Sequence, residues 1–474
     1  MIESVFLFPF VMGLVSLAAP AKSSRFVLAG TAAGHLLLTL MIWHASLSPL
    51  YPAFFTAAPE GLLILLVTSI IFVAISCYAF SYVIETKMAH ARVFSCCMML
   101  FLGTMSMVAL SDHPIVLWIA IEATTLVSAP LIFIHRSKQA LEATWKYVLI
   151  CSVGIALALL GIFFITLAMD LGNIAGPLTF TSLNTVATRL DPVWLKAGFV
   201  FIVIGFGTKM GLAPMHTWLP DAHSEAPSPA SALLSGALLN CAFLGIYKTH
   251  VLMNSAGLGD FSGSVLVGFG LCSMLVGAVF IVGQPDYKRM LAYSSIENMG
   301  IISFGVGIGG LALYGAFIHL IHHSLLKSSL FLSAGNILLG FGTKQAGRIG
   351  GIIHSLPRTF VSFFAGFVGL CGLPPFGMFV SEIMVVIGAI RGHWYVSVVL
   401  FVFALILAVA GCGRVFMAMS FGEATTAAGL GEKPLRFIPA YALLLTSLVL
   451  CFWMPETVYV TIIDSIKMIG GIHG

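Results

Sequence analysis

Four charged side chains stand in the middle of apolar runs: Glu122 in VLWIAIEATTLVSAP, Lys209 in VFIVIGFGTKMGLAP, Lys327 in IHLIHHSLLKSSLFL and Glu382 in PPFGMFVSEIMVV. At bilayer depth a charge costs at least ~2.5–3.5 kcal/mol, so it persists only where it faces protein or water, and an ion pathway is its first reading. The plainer alternative is a pair of buried salt bridges that only fix helix packing. His319, His322, His323 and Lys327 fall at i, i+3, i+4 and i+8, on one side of a helix. Imidazole titrates near neutral pH, and this stripe has no cysteine or carboxylate to complete a metal site, so it points to a proton or water pathway. Glu297 and Asn298 in SSIENMG either extend the stripe or form hydrogen-bonded packing between helices.

The surrounding chain must hold such groups in the membrane. Of 474 residues, 59% are apolar and 8% charged, and the mean hydropathy is +1.06. Soluble domains carry about a quarter charged residues, so soluble enzymes and disordered chains are excluded. The net charge of +4 is too small and too scattered for a nucleic-acid partner. At about 20 apolar residues per crossing, hydropathy predicts an all-α, polytopic membrane protein with about fourteen spans. They lie near 3–20, 26–44, 60–84, 93–111, 114–134, 144–169, 194–213, 229–252, 264–283, 290–308, 310–340, 357–390, 393–420 and 435–454. The first apolar stretch is read as the start of the bundle rather than a cleaved signal. The polar stretches between spans are too short for a soluble domain.

Most of the 22 lysines and arginines, from Lys22 and Arg25 to Lys433 and Arg436, fall in loops after the odd-numbered spans. The positive-inside rule then predicts those loops in the cytoplasm and both termini outside. The nine cysteines (Cys77, Cys96, Cys97, Cys151, Cys241, Cys272, Cys371, Cys412 and Cys451) lie in or beside apolar runs without CxxC spacing. Neither an iron–sulfur cluster nor a covalent haem has its ligand pattern. Gly305, Gly307 and Gly310 match GxGxxG but sit in an apolar run with no preceding strand, which favours helix packing over nucleotide binding. In HTWLPDAHSEAPSP, His216, Asp221 and His223 have types suited to a metal. A turn followed by a helix start, with Ser228 as N-cap and Pro229 first in the helix, accounts for them better. Glu456, Asp464 and Lys467 mark a short interfacial segment near the C-terminus.

Two spans are interrupted. Gly205, Gly207, Gly211 and Pro214 break the seventh, and Pro374, Pro375 and Gly377 break the twelfth. Free backbone at membrane depth is tolerated only in protein or along a cavity, and paired broken helices are a transporter signature. One block carries Glu122 and Lys209 before its break; the other carries Glu297, Lys327 and Glu382 around its own. Five spans separate the breaks, and an odd offset reverses topology, which predicts two inverted five-helix repeats. The expected units are 1–92, 93–252, 264–420 and 435–474.

TKMGLAPMHTWLPDAHSEAPSPASALLSGALLN (208–240), with LAYSSIENMG (291–300), HSLLKSSLFLSAG (323–335) and GLPPFGMFVSE (372–382), resembles the antiporter-like subunits of respiratory complex I, multisubunit cation/proton antiporters and membrane-bound hydrogenases. The component F type of hydrogenase 4 is the nearest in flavour. The resemblance implies inverted bundles of helices 4–8 and 9–13, three helices before and one after. It assigns proton-translocating roles to Glu122, Lys209, Lys327 and Glu382, with His319 and His323 along the route. Glu122 and Lys209 would form a switchable ion pair. At the helix 8 position that is lysine in some paralogues this chain has Asn240, with Lys248 two turns further on, so Ser235, Asn240 or water would bridge the halves. The tail is too short for the long lateral helix of some complex I subunits. The implied function is proton or Na⁺ translocation within a membrane-bound oxidoreductase that is NADH dehydrogenase-like or hydrogenase-like, in a bacterial or archaeal cytoplasmic membrane. No cofactor is expected in this chain; iron–sulfur, nickel–iron or quinone sites belong to partner subunits of the membrane arm and a peripheral redox module. A cation/proton antiporter subunit without redox partner is the alternative, and a structural membrane arm is a third.

Overall fold

The computed structural model describes residues 1–45, 47–423 and 431–469, so the last part of the expected tail, 470–474, lies outside the described residues. Every named element among them is helical. Three helices come first: α1 (Ser4–Ala18), α2 (Ser24–Ala45) and α3 (Pro59–Glu85). Then follow α4 (Ala91–Leu110), α5 (Pro114–Ile132), α6 (Lys138–Leu171), the short α7 (Phe180–Val186), α8 (Pro192–Met210), α9 (Trp218–Glu225), α10 (Ser228–Leu233) and α11 (Leu239–Ser255). The second half holds α12 (Gly259–Val282), α13 (Tyr287–Ile308), α14 (Gly310–Phe341), α15 (Ile352–Ser355), α16 (Pro357–Leu370), α17 (Gly377–Arg391) and α18 (Tyr395–Phe421). The chain closes with α19 (Pro434–Phe452) and α20 (Glu456–Lys467).

Each predicted span coincides with a helix or a pair of helices. Eleven helices among the described residues are long and apolar enough to cross a membrane. Of the other stretches, α1 and α16 are shorter apolar helices, and α13 is diluted by Lys288, Arg289 and Glu297. Local chemistry explains the starts. Proline stands at the first turn of α3, α5, α8, α16 and α19, where its missing N–H is no loss. Asp191 caps α8 through the N–H groups of Val193 and Trp194, and Asp286 caps α13 through those of Lys288 and Arg289. The Ser228 cap is corrected: Ser228 is the first residue of α10 and its hydroxyl makes no hydrogen bond. Ser231 instead secures the turn, its hydroxyl donating to the carbonyls of His223 and Ala226. α7 was not expected, because a seven-residue helix in a polar loop leaves no hydropathy signal.

Both interruptions are present. α8 ends at Gly211, whose φ of +84° suits glycine, and the chain turns through a cis Ala213–Pro214 bond before α9. The freed backbone is satisfied within the protein: Trp218 Nε1 donates to the Thr208 carbonyl at 2.8 Å, and the Ala213 N–H reaches Ser273 Oγ at 2.9 Å. Gly205 and Gly207 do not take part in the break. They stay helical, and a Cβ on Gly205 would sit 2.5 Å from the Ala158 amide nitrogen, so this glycine lets α8 close on α6. The second break runs from Cys371 to Phe376 between α16 and α17, with a cis Pro374–Pro375 bond. Two of the GxGxxG glycines serve packing, Gly305 against Ala312 and Ala316 and Gly307 against Gly263, whereas Gly310 has open space around it and a φ of +53° at the start of α14.

The bundle is apolar outside, and its buried polar side chains are gathered within a largely apolar core. α14 lies centrally, touching α3, α10, α13, α16, α17, α19 and α20, and the α10–α11 span is buried throughout. These are the segments that hold the buried serines, histidines and lysines, whereas α18 turns Val396, Val399 and Ile406 outward.

Candidate functional site

Lys209 sits in the last turn of α8, just before the break, where unpaired helix carbonyls favour a cation. It is fully buried. Its ammonium donates to Thr125 Oγ1 at 2.8 Å and to the Tyr147 hydroxyl at 2.6 Å, and lies 4.5 Å from the centre of the Tyr147 ring. Glu122 is half-buried on α5; its carboxylate accepts from Ser152 Oγ at 2.9 Å and from Thr125 Oγ1 at 3.4 Å. In this structure the Glu122–Lys209 pair, expected to be switchable, is bridged rather than in direct contact. Thr125 is one turn beyond Glu122 on the same face of α5 and stands between them. A hydroxyl accepts and donates at once, so Thr125 can join the two by a proton wire. Thr125 was visible in the Glu122 stretch as a residue at i+3. Tyr147 had no local signal, because α6 brings it from another part of the chain.

The centre of the molecule is hydroxyl-rich. A π-turn over Leu234–Leu238 separates α10 from α11, and such turns recur at functional sites. It presents Ser235, whose Oγ lies 2.9 Å from Ser295 Oγ on α13. Gly236 in the same turn lets α14 approach: a Cβ there would fall 2.2 Å from Ser328 Oγ. Asn240 donates to Ser324 Oγ on α14 at 2.8 Å, while its own Oδ1, buried, has no partner among the described residues. Lys248 does not join this centre. Eight residues further along α11, about 12 Å at 1.5 Å per residue, it donates to the Ser111 carbonyl at 2.9 Å and pairs with Glu60 at 3.5 Å. Glu60, in the first turn of α3, went unnoticed in the sequence because it lies at the edge of its apolar run. Both side chains are over nine-tenths buried, and removing one member of such a pair leaves an uncompensated charge. Glu60→Ala is expected to destabilise the protein by about 3–5 kcal/mol, read as a lowered melting temperature of the intact membrane complex; an unchanged melting curve would show that the pair carries no such weight.

A second cluster surrounds Lys327, fully buried on α14. Its ammonium donates to the Leu291 carbonyl at 2.7 Å and to the Ser294 hydroxyl. One turn further along α13, the Asn298 amide donates to the Ser294 carbonyl and to Glu297 Oε2, both at 2.6 Å. That fixes Asn298 Oδ1 as the atom facing His319 Nε2, 2.9 Å away, so Nε2 carries a proton. His319 Nδ1 lies 2.9 Å from Ser381 Oγ, which also reaches the Met378 carbonyl at 2.7 Å. Glu382, half-buried, is the next residue. Its carboxylate packs on Gly372 in the second break, where φ is +59° and a Cβ would fall 2.1 Å from Glu382 Oε2. Gly372→Ala should cost about 1–2 kcal/mol from the left-handed backbone alone and move the carboxylate as well. A melting shift together with slowed ion translocation is the expected result; unchanged translocation would separate Glu382 from the path.

The four-residue stripe on α14 is split. His319, His323 and Lys327, at i, i+4 and i+8, keep to one line, but His322 is turned about 100° from His323. It faces α19, with Nδ1 2.8 Å from Ser447 Oγ. His323 is fully buried and neither ring nitrogen has a hydrogen-bond partner among the described residues.

The proline turn serves structure. Asp221 pairs with Lys146 at 3.0 Å and with Arg289, Lys344 pairs with Glu225 at 2.6 Å, and Lys288 donates to the Ala226 carbonyl at 2.7 Å. His223 is instead stacked on Phe331, with ring centres 4.9 Å apart, and His216 lies near Phe280 and Tyr293. Asp221, His216 and His223 do not converge, and the described residues hold no group of three metal-ligating side chains.

This geometry coincides with a known family. The model of the family described as NADH:quinone oxidoreductase/Mrp antiporter, transmembrane region, matches residues 111–408, from the loop before α5 into α18, and the chain belongs to that family. The hydrogenase-4 component F homolog of Methylacidiphilum infernorum is 39% identical over 322 residues, 67% of each chain. Hydrogenase-4 component B of Escherichia coli is 32% identical over 330 residues, and there the match spans 67% of this chain but only 48% of the relative. In three dimensions, a chain of the Mrp complex from Dietzia sp. superposes with a TM-score of 0.85 at 19% identity, covering 99% of this chain and 98% of that one, which shows a shared fold. The protein is thus an antiporter-like membrane subunit of the type found in complex I, Mrp and hydrogenase assemblies.

Proposed function

We propose that this subunit moves protons across the membrane as part of a membrane-bound oxidoreductase, with electron transfer in partner subunits driving the movement. The observation that carries the reading is Lys209: a fully buried ammonium hydrogen-bonded only to hydroxyls, with a carboxylate one hydroxyl further on. A purely structural lysine gains most by direct pairing. Here Thr125 can take a proton from Lys209 as it gives its own to Glu122. In the second half, Ser381 serves both states of His319: it donates to Nδ1 of the neutral ring, or turns to Met378 and accepts from the charged one. Glu297, His319 and Ser381 then line a proton route toward Glu382, with Asn298 holding Glu297 and His319 in place, Lys327 reached through Ser294, and water completing the transfers. Ser235, Asn240 and His323 stand between the clusters, and the unsatisfied Asn240 Oδ1 and His323 ring nitrogens call for water.

Supporting a redox partner is the hydrogenase-type relative; the partner modules would hold the iron–sulfur, nickel–iron or quinone sites. The second reading, a cation/proton antiporter without redox partner, is favoured by the likeness to the Mrp chain. Two inverted halves, α4–α11 and α12–α18, each with its break in the fourth span, fit either reading, as do the basic loops that would lie in the cytoplasm of a bacterium or archaeon. The test is to purify the intact complex, identify its subunits by mass spectrometry and reconstitute it in vesicles. A redox subunit together with a proton gradient driven by electron transfer is expected. A complex of antiporter subunits alone that exchanges Na⁺ for protons would select the second reading.

A further inference from the structure

A cavity of about 740 Å³ opens between α14, α17, α19 and α20. It lies at the end of the bundle where α14 starts and α20 follows α19. At that end, the Tyr247 hydroxyl binds the Ser465 carbonyl, the neighbouring Lys248 reaches Ser111, and Glu3 holds the Leu50 amide. Glu456 stands exposed at its mouth, Tyr314 and Tyr459 face each other across it, and His322 forms its floor. His322 is twelve residues into α14, about 18 Å from the helix start at 1.5 Å per residue, which is the middle of a ~30 Å hydrocarbon layer. Gly377 at the start of α17 leaves this ring its space: a Cβ there would lie 2.1 Å from His322 Nε2.

We propose that this cavity is a water-filled vestibule through which the buried relay opens to the face carrying the N-terminus and α20, with His322 as the group that passes protons between relay and water. The proposal rests on the proton-translocation reading above. The volume holds about two dozen waters at ~30 Å³ each, and an imidazole, a carboxylate and two phenols give them partners. His322 is also one of the two histidines of the α14 stripe that the Glu297–Ser381 relay leaves unused, its Nδ1 anchored on Ser447 and its Nε2 directed to the cavity wall at Gly377. In the outward step, protonated His322 gives its Nε2 proton to a cavity water and becomes neutral; the hydronium diffuses to the mouth, where Glu456 concentrates cations.

Native Cys451 lines the cavity, which allows a direct test on the intact complex in membrane vesicles of each orientation. A charged, membrane-impermeant thiol reagent should label Cys451, and an introduced Ile318→Cys next to the floor, from the side of the N-terminus and α20 and not from the other, as read by peptide mass spectrometry. His322→Ala and Gly377→Ala, the latter covering Nε2 without removing a titratable group, should each slow translocation at least about a hundredfold, the lower end for loss of a proton-transfer group, with Cys451 labelled as before. Labelling by lipid-soluble reagents alone, or normal translocation in both variants, overturns the vestibule. Lys209→Ala should leave the labelling intact, so normal translocation in that variant counts against the translocation reading and not against the vestibule.

Discussion

Lys209→Ala should reduce coupled ion translocation to background while the complex still assembles. The side chain leaves behind two hydroxyls that have other partners: Thr125 retains the Glu122 carboxylate and Tyr147 retains Ser128, 2.6 Å away. Little unsatisfied polarity is therefore buried, and the α8 break keeps its own hydrogen bonds from Trp218 and Ala213. What disappears is the group that gains and loses the proton, and loss of such a group costs 10²–10⁴-fold in rate, to order of magnitude, about 3–5 kcal/mol of barrier. Lys209→Arg is the sharper variant. It keeps a permanent charge that cannot be deprotonated, so a packing role predicts rescue and a proton-exchange role predicts none. Dye-monitored proton gradients in vesicles, compared with the electron-transfer rate of the same preparation, decide between them. Glu122→Gln should behave similarly but less severely, because Ser152 and Thr125 can hold a neutral amide.

The second large effect concerns Lys327 and Glu382. They make no ion pair; hydrogen bonds link Lys327 to the Ser294 hydroxyl, the Ser294 carbonyl to Asn298, Asn298 to Glu297 and His319, and His319 to Ser381, the chain neighbour of Glu382. Lys327→Ala and Glu382→Gln should each impair translocation by an order of magnitude or more. The double variant is expected to be no worse than the poorer single one, since groups acting in series are non-additive. Ser381→Ala serves as a control that removes no titratable group: it leaves His319 Nδ1 without its hydroxyl and should fall in the same series. Strictly additive losses would mean that the two charges act on separate paths.

The Glu60–Lys248 pair gives another buried lysine of this fold partners of a different kind. Its ammonium meets a carboxylate and a backbone carbonyl near one end of the bundle, whereas Lys209 and Lys327 meet hydroxyls and carbonyls near its middle. The distinction lies in the partners, not in the residue type.

Length, apolarity and proline placement are local properties, and from them the sequence alone determined the membrane class, the helices and both breaks, since each depends on residues within a few turns. Motifs around Thr208–Asn240 and Gly372–Glu382 also determined the family, which the match over 111–408 bears out. The tertiary structure decided who meets whom. Whether Glu122 touches Lys209 or reaches it through Thr125 depends on how α5 and α8 are rotated against each other, a matter of a few ångströms that no spacing records. Helical periodicity placed four polar residues on one side of α14, but only the positions of α13, α17 and α19 divided them, sending His319 to Asn298 and His322 to Ser447. Tyr147 and Glu60 come from distant segments, and their contacts exist only because small residues such as Gly205 let the helices close to that distance. Hydropathy is summed along a helix, while a hydrogen bond is lost within one ångström, so the elements were legible in the chain and the connections between them were set by packing.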